Sequence, residues 1–143
     1  MPRTLDQDRA AYSLQKVKEI IEDRTFSEDW KDKYAGYVES LPATILNCGL
    51  GQAAATLLAA SKKQNNNLSE NDPHYFLYKH LQNWLCRDSK EAPYNRTGEL
   101  MKAITAGDRH SYILAQAEAL KWLEWHKKLA VAYLKKDKVG DQS

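Results

Sequence analysis

From Ser40 to Ser61 the chain carries no charged side chain, although 28% of all its residues are Asp, Glu, Lys or Arg. A stretch of this length without charge does not suit a solvent-facing element, and its Ala, Leu and Gln content favours helix. It reads as a buried central helix around which the other elements pack. Gly49 and Gly51 are positions where that helix bends or a neighbour comes close. Pro42 marks the end of a preceding helix, because proline disfavours helical geometry in the residue before it. No run of about 18 apolar residues occurs, so no membrane span is expected.

The flanking segments read as helices too. Only 6 Gly and 4 Pro are present, whereas a sandwich or barrel needs a turn signal every 8–12 residues or so. Thr4 and Gln7 have capping-box spacing, and Ala10, Leu14, Val17 and Ile21 continue from them as one helical stripe to about Asp23. Thr25 and Glu28 repeat the spacing ahead of Trp30, Tyr34, Tyr37, Val38 and Leu41. Beyond the polar run Gln64 to Asn67, Asp72 followed by Pro73 is a strong helix start, and an aromatic face follows through Tyr75, Phe76, Tyr78, Leu81, Trp84 and Leu85. A loop around Pro93 leads to a short helix from Thr97 to Ala106 that ends at Gly107. Asp108 then caps the last and longest helix, to about Lys136, and the tail 137–143 frays. The expected fold is all-α: one domain over 1–143, a bundle of about five to six helices with a buried uncharged central helix and a long C-terminal one.

Chemistry is sparse. Gly49-Leu-Gly51-Gln-Ala-Ala54 matches a dinucleotide-binding turn, but no strand–helix alternation surrounds it, so the glycines read as close-packing positions. His74, His80, His110 and His126 lack metal-ligand spacing. No catalytic, metal or cofactor site is expected. Cys48 and Cys86 sit in apolar helical patterns and read as reduced core residues of a cytosolic protein, and Met1 to Asp8 lacks the apolar stretch of a signal peptide.

The formal net charge is +2, too small to announce nucleic acid, so its distribution matters. Glu19, Glu22, Asp23, Glu28, Asp29, Asp32 and Glu39 make one end acidic. Lys121, Lys127, Lys128, Lys135, Lys136 and Lys138 make the other basic. Lys121, Lys128 and Lys135 recur every seventh residue, which puts them within about 40° of one another on a helix. Lys127 flanks the row, and Trp122, Trp125, Leu129 and Tyr133 take the opposite side. From spacing alone this is either a phosphate-tracking face or a solvated one in which Glu124 and Lys128 pair.

Three segments carry a resemblance: Thr4-Leu-Asp-Gln7-Asp-Arg9-Ala; Leu41-Pro42-Ala-Thr-Ile-Leu-Asn47-Cys-Gly49-Leu-Gly51-Gln52-Ala53 through to Ser61-Lys62; and Tyr112 through Leu120 into Leu123-Glu-Trp125-His-Lys127-Lys128. Together they resemble the small subunit of the type III-B, or Cmr, CRISPR effector complex. The resemblance implies a non-catalytic helical subunit, stacked in several copies along guide and target RNA beside the backbone subunit and the large polymerase-like subunit. It implies a cytoplasmic role in target RNA binding and assembly during antiviral defence. Arg9, Lys62, Lys127 and Lys128 lie in matched segments and are expected to contact RNA backbone, with Lys121 and Lys135 added from the lysine row. The alternative is a helical structural adaptor that binds only protein.

Overall fold

The computed structural model describes residues 3–61, 63–64, 67–68 and 71–136. The described residues form helices α1 (Leu5–Glu22), α2 (Glu28–Ala60), α3 (Pro73–Leu85), α4 (Leu100–Ala106) and α5 (Arg109–Leu134). Strands β1 (Lys63–Gln64) and β2 (Asn67–Leu68) make a two-residue antiparallel ladder between α2 and α3. The bundle is all-α in character, as expected. The anticipated tail 137–143 lies outside the described residues.

Local side-chain chemistry sets most helix starts. At α1 the Gln7 N–H donates to Thr4 Oγ1 at 3.0 Å and the Thr4 N–H donates to Gln7 Oε1 at 2.9 Å, satisfying two amides that have no partner inside the helix. Asp72 Oδ1 accepts from the His74 N–H, and Asp108 Oδ1 from the Ser111 N–H, both at 2.8 Å. The start of α2 differs from expectation. Ser27 Oγ accepts from the Trp30 N–H at 3.1 Å, while Thr25 turns back and donates its hydroxyl to Asp23 at 2.6 Å. Glu99 caps α4 through the Lys102 N–H at 2.6 Å, so that helix begins later than Thr97.

The central helix breaks in an unexpected place. It runs through Pro42, whose neighbours Leu41 and Ile45 are both buried, and packing there outweighs the single backbone bond that proline forfeits. The interruption comes at Gly49, with φ 86° and ψ 161°, a conformation essentially confined to glycine. Beyond it, two amides have lost their helical acceptors, and α5 supplies substitutes. The Leu50 N–H donates to Gln116 Oε1 and the Gly51 N–H to Tyr112 Oη, both at 2.9 Å. The G-x-G-x-x-A run is therefore a joint between two helical rods, and Thr44 to Asn47 ahead of it are helical.

Helix α2 packs against both α3 and α5, and α1 packs against α5. Ile45, Leu50, Ala53 and Ala54 of α2 meet Leu77, Leu81 and Leu85 of α3 and Trp122 and Leu123 of α5 in one core. The uncharged segment is not buried all round. Leu46 is 70% exposed, and Ala43, Asn47, Cys48, Gln52 and Thr56 also face outward. The helix presents one stripe to the core and an uncharged outer face, so Cys48 is exposed while Cys86, at the end of α3, is buried; both are free. By length and composition α2 would suffice to cross a membrane; here its buried stripe is covered by α3 and α5.

A polar chain crosses this core. Ser13 Oγ lies 2.7 Å from His126 Nδ1, His126 Nε2 lies 2.9 Å from Tyr34 Oη, and Tyr34 Oη also bonds His80 Nδ1. Burial holds His126 down to about 3 and His80 well below the usual histidine range, because charging an imidazole away from water is costly. Both rings are neutral near pH 7, and Trp122 stacks on His126 at 4.4 Å.

Candidate nucleic-acid interface

Helix α5 turns Ala115, Ala119, Trp122, Leu123, His126, Ala130 and Leu134 inward. That choice of face leaves Lys121, Lys127 and Lys128 exposed on the outer side, together with Ala117, Glu124 and Ala132. None of the three lysines makes an ion pair among the described residues, and the Glu124–Lys128 pair that the spacing allowed does not form. Their ammonium groups are therefore open to solvent. Tyr133 is exposed as well, at 52%, rather than sharing the core side with Trp122.

The other expected contacts are placed differently. The Arg9 guanidinium holds Glu118 through two bonds, Nε to Oε2 and Nη2 to Oε1, both at 2.8 Å. The side chains are 13% and 8% exposed. The Trp84 indole N–H donates to the same carboxylate at 2.9 Å, so α1, α3 and α5 meet at one acid. The bond to Glu118 raises the Arg9 pKa above its ordinary value. A guanidinium held this way has given its fork to the protein's own carboxylate. Arg9 also touches Asp6 at 3.3 Å. The Trp125 N–H donates to Asp6 at 3.0 Å, and this bond, more than Arg9 or Lys121, keeps that carboxyl below its usual range.

Lys135 meets Glu39 of α2 at 2.9 Å, and that bond raises the lysine's pKa. Next to it, Lys136 reaches Asp29 at 3.2 Å while its backbone N–H donates to Asp32 at 2.8 Å. The acidic start of α2 and the basic end of α5, separate in sequence, thus dock on one another. Of the six lysine and arginine positions expected at RNA, Lys121 and Lys128 share an open face with Lys127 exposed on its flank, Arg9 and Lys135 are engaged by the protein's own acids, and Lys62 lies outside the described residues.

Sequence reasoning passed over Glu118, although a signal was present. An acid between Ala115, Ala119 and Trp122 on the buried stripe of a helix requires a cation from elsewhere in the fold. Among the described residues no group of three or more His, Cys, Asp or Glu is arranged to hold a metal.

A family model described as CRISPR-associated protein (Cas_Cmr5) matches residues 5–133, from the start of α1 to within one residue of the end of α5, and takes in the lysine row apart from Lys135. The chain belongs to the Cmr5 family. Its fold agrees with the X-ray structure of a CRISPR-associated Cmr5 family protein from Thermus thermophilus, at a TM-score of 0.67 and 23% identity, over 93% of this chain and 100% of that one. Membership of the Cmr5 family makes the chain a small subunit of the type III-B effector, a component that associates with other Cmr subunits.

Proposed function

We propose that this Cmr5 family member is a non-catalytic subunit that holds RNA by its phosphate backbone, through Lys121, Lys127 and Lys128 on the outer face of α5. The observation that carries the reading is three exposed lysines on the outer side of α5, Lys121 and Lys128 in line and Lys127 flanking them, with no ion-pair partner among the described residues. Such groups neutralise phosphates without reading bases, which suits a subunit that serves any guide. A few lysines per copy bind weakly, and several copies stacked beside the backbone and large subunits would gain through multivalency. Arg9 and Lys135 are held by Glu118 and Glu39 and would act on RNA only if it displaced those carboxylates. The setting for such work is the cytoplasm, with guide and target RNA as partners in antiviral defence.

The uncharged outer face supports contacts to protein. Leu46 at 70% exposure, and Ile113 and Leu114 at 56% and 48%, leave apolar area in water that subunit neighbours would cover. The same observation favours the second reading, a spacer that touches only protein.

Salt dependence separates the two. In a reconstituted complex, replacing Lys127 and Lys128 with Glu should weaken target RNA capture and reduce the salt slope by about one for each phosphate no longer neutralised. Unchanged capture and an unchanged slope leave only the spacer.

A further inference from the structure

Basic and aromatic groups also meet away from the outer face of α5. An open cavity of about 280 Å³ between α1 and α3 is lined by Lys16, Tyr75, Phe76, Lys79, His80 and Asn83. The α3 residues lie on successive turns of one face, with spacings of three and four, and Lys16 projects from α1 across the gap. Among the described residues no carboxylate lines the cavity. The Lys16 ammonium is 3.3 Å from Glu19, an exposed pair of little strength, and 5.5 Å above the Tyr12 ring. Lys79 has no ion pair among the described residues.

His80 completes the wall, and the core chain determines what it offers. Its Nδ1 is taken by Tyr34, while its Nε2 has no partner among the described residues. Tyr34 has one hydroxyl hydrogen for two imidazoles, so it donates to one and accepts from the other. If it donates to His80, Nε2 carries a hydrogen and faces a ligand as a donor. If it donates to His126, Nε2 is bare and accepts. The two arrangements differ in the tautomer of both imidazoles, and both rings are neutral in each.

We infer that this cavity binds a single nucleotide unit, with Lys16 and Lys79 on its phosphate, Tyr75 and Phe76 against its base, and Asn83 and His80 on the base edge. Two cations alone would suit any anion. The aromatic wall adds an affinity for a flat ring, and an amide beside a reversible imidazole suits a base edge with both donors and acceptors. The volume lies near the lower end for small-molecule sites, about 300–1,000 Å³, which limits the occupant to one nucleotide. That unit is either a free mononucleotide or a base turned out of a bound strand. The site shares no residue with the lysine face of α5, so either can fail without the other.

The test is a heteronuclear NMR titration of the full chain with adenosine and uridine 5′-monophosphates, with inorganic phosphate and adenosine as controls. Both nucleotides should give saturable shifts at Lys16, Tyr75, Lys79 and Asn83, with the His80 ring nitrogens moving and His126 following. Each control should bind about tenfold more weakly. Lys79→Glu and Asn83→Ala should each weaken nucleotide binding by about tenfold, while Lys128→Glu leaves it unchanged. Competition by a single-stranded oligoribonucleotide for the same resonances assigns the site to a strand base, and its failure to compete assigns it to a free nucleotide. The inference is overturned by an absence of saturable shifts, by phosphate alone matching the nucleotides, or by unchanged affinity in both cavity variants.

Discussion

Mild acid should destabilise this fold through the histidines of its core. His126 titrates near 6.5 when unfolded and is held down to about 3 in the bundle, because burial opposes its charge. The sign follows directly: between those two values the unfolded chain binds the extra proton, so stability falls as pH drops below 6.5. At about pH 5 the unfolded chain gains about 2 kcal/mol by protonating this one residue, at about 1.4 kcal/mol per pH unit. His80, also lowered by burial and by the nearby His126 and Lys16, adds a loss of the same sign. Carboxylates contribute little in that window, since Asp and Glu ordinarily titrate at 3.8 and 4.5. Urea unfolding at about pH 7.5, 6 and 5 measures the effect. The pH dependence near pH 5 should correspond to uptake of about two protons in the wild type and about one in His126→Gln. The variant should be less stable at neutral pH, because Ser13 and Tyr34 lose a partner. Stability that stays constant from about pH 7.5 to 5, or an equal slope in the variant, refutes the account of a neutral buried imidazole.

The remaining expectations concern the clasp on Glu118, the joint in α2 and the docked charges. Arg9→Ala should cost about 3 kcal/mol in chemical denaturation by leaving Glu118 buried without its cation, and Arg9→Met with Glu118→Leu should cost clearly less than Arg9→Ala. Gly49→Ala should cost about 2 kcal/mol, because its φ is positive and a new Cβ would sit 3.1 Å from the Tyr112 hydroxyl. Tyr112→Phe, which removes the bond to the Gly51 N–H, should cost about 1 kcal/mol in the same assay. Lys135→Ala should cost less than about 1 kcal/mol, since its partner Glu39 keeps access to water.

Local features were legible in the sequence and long-range ones were not. Thr4 with Gln7, Asp72 with Pro73, and Asp108 announce their helices because a cap acts within three residues. Ser27 displaced Thr25 because two hydroxyl residues two positions apart compete for one role and Asp23 took the other. Pro42 and Gly49 both disturb a helix, and only the buried packing around Leu41 and Ile45 decides which yields. The candidate site divided along the same line. Helical periodicity was enough to put Lys121 and Lys128 on one exposed face. The captures of Arg9 by Glu118 and of Lys135 by Glu39 depend on partners more than ninety residues distant, which periodicity cannot report. Cys48 pointed outward for a related reason: a run without charge says that water is tolerated poorly, not which side meets it.

Gly49 leaves the longest helix without continuous backbone stiffness, and the missing rigidity comes from Tyr112 and Gln116 on a different helix. The angle at which the uncharged ledge around Leu46 stands to the lysine-bearing side of α5 is thereby held by two side-chain oxygens. Anything that pulls on one of these surfaces acts on the other through that hinge, so loosening it should blur their relative orientation before it unfolds either helix.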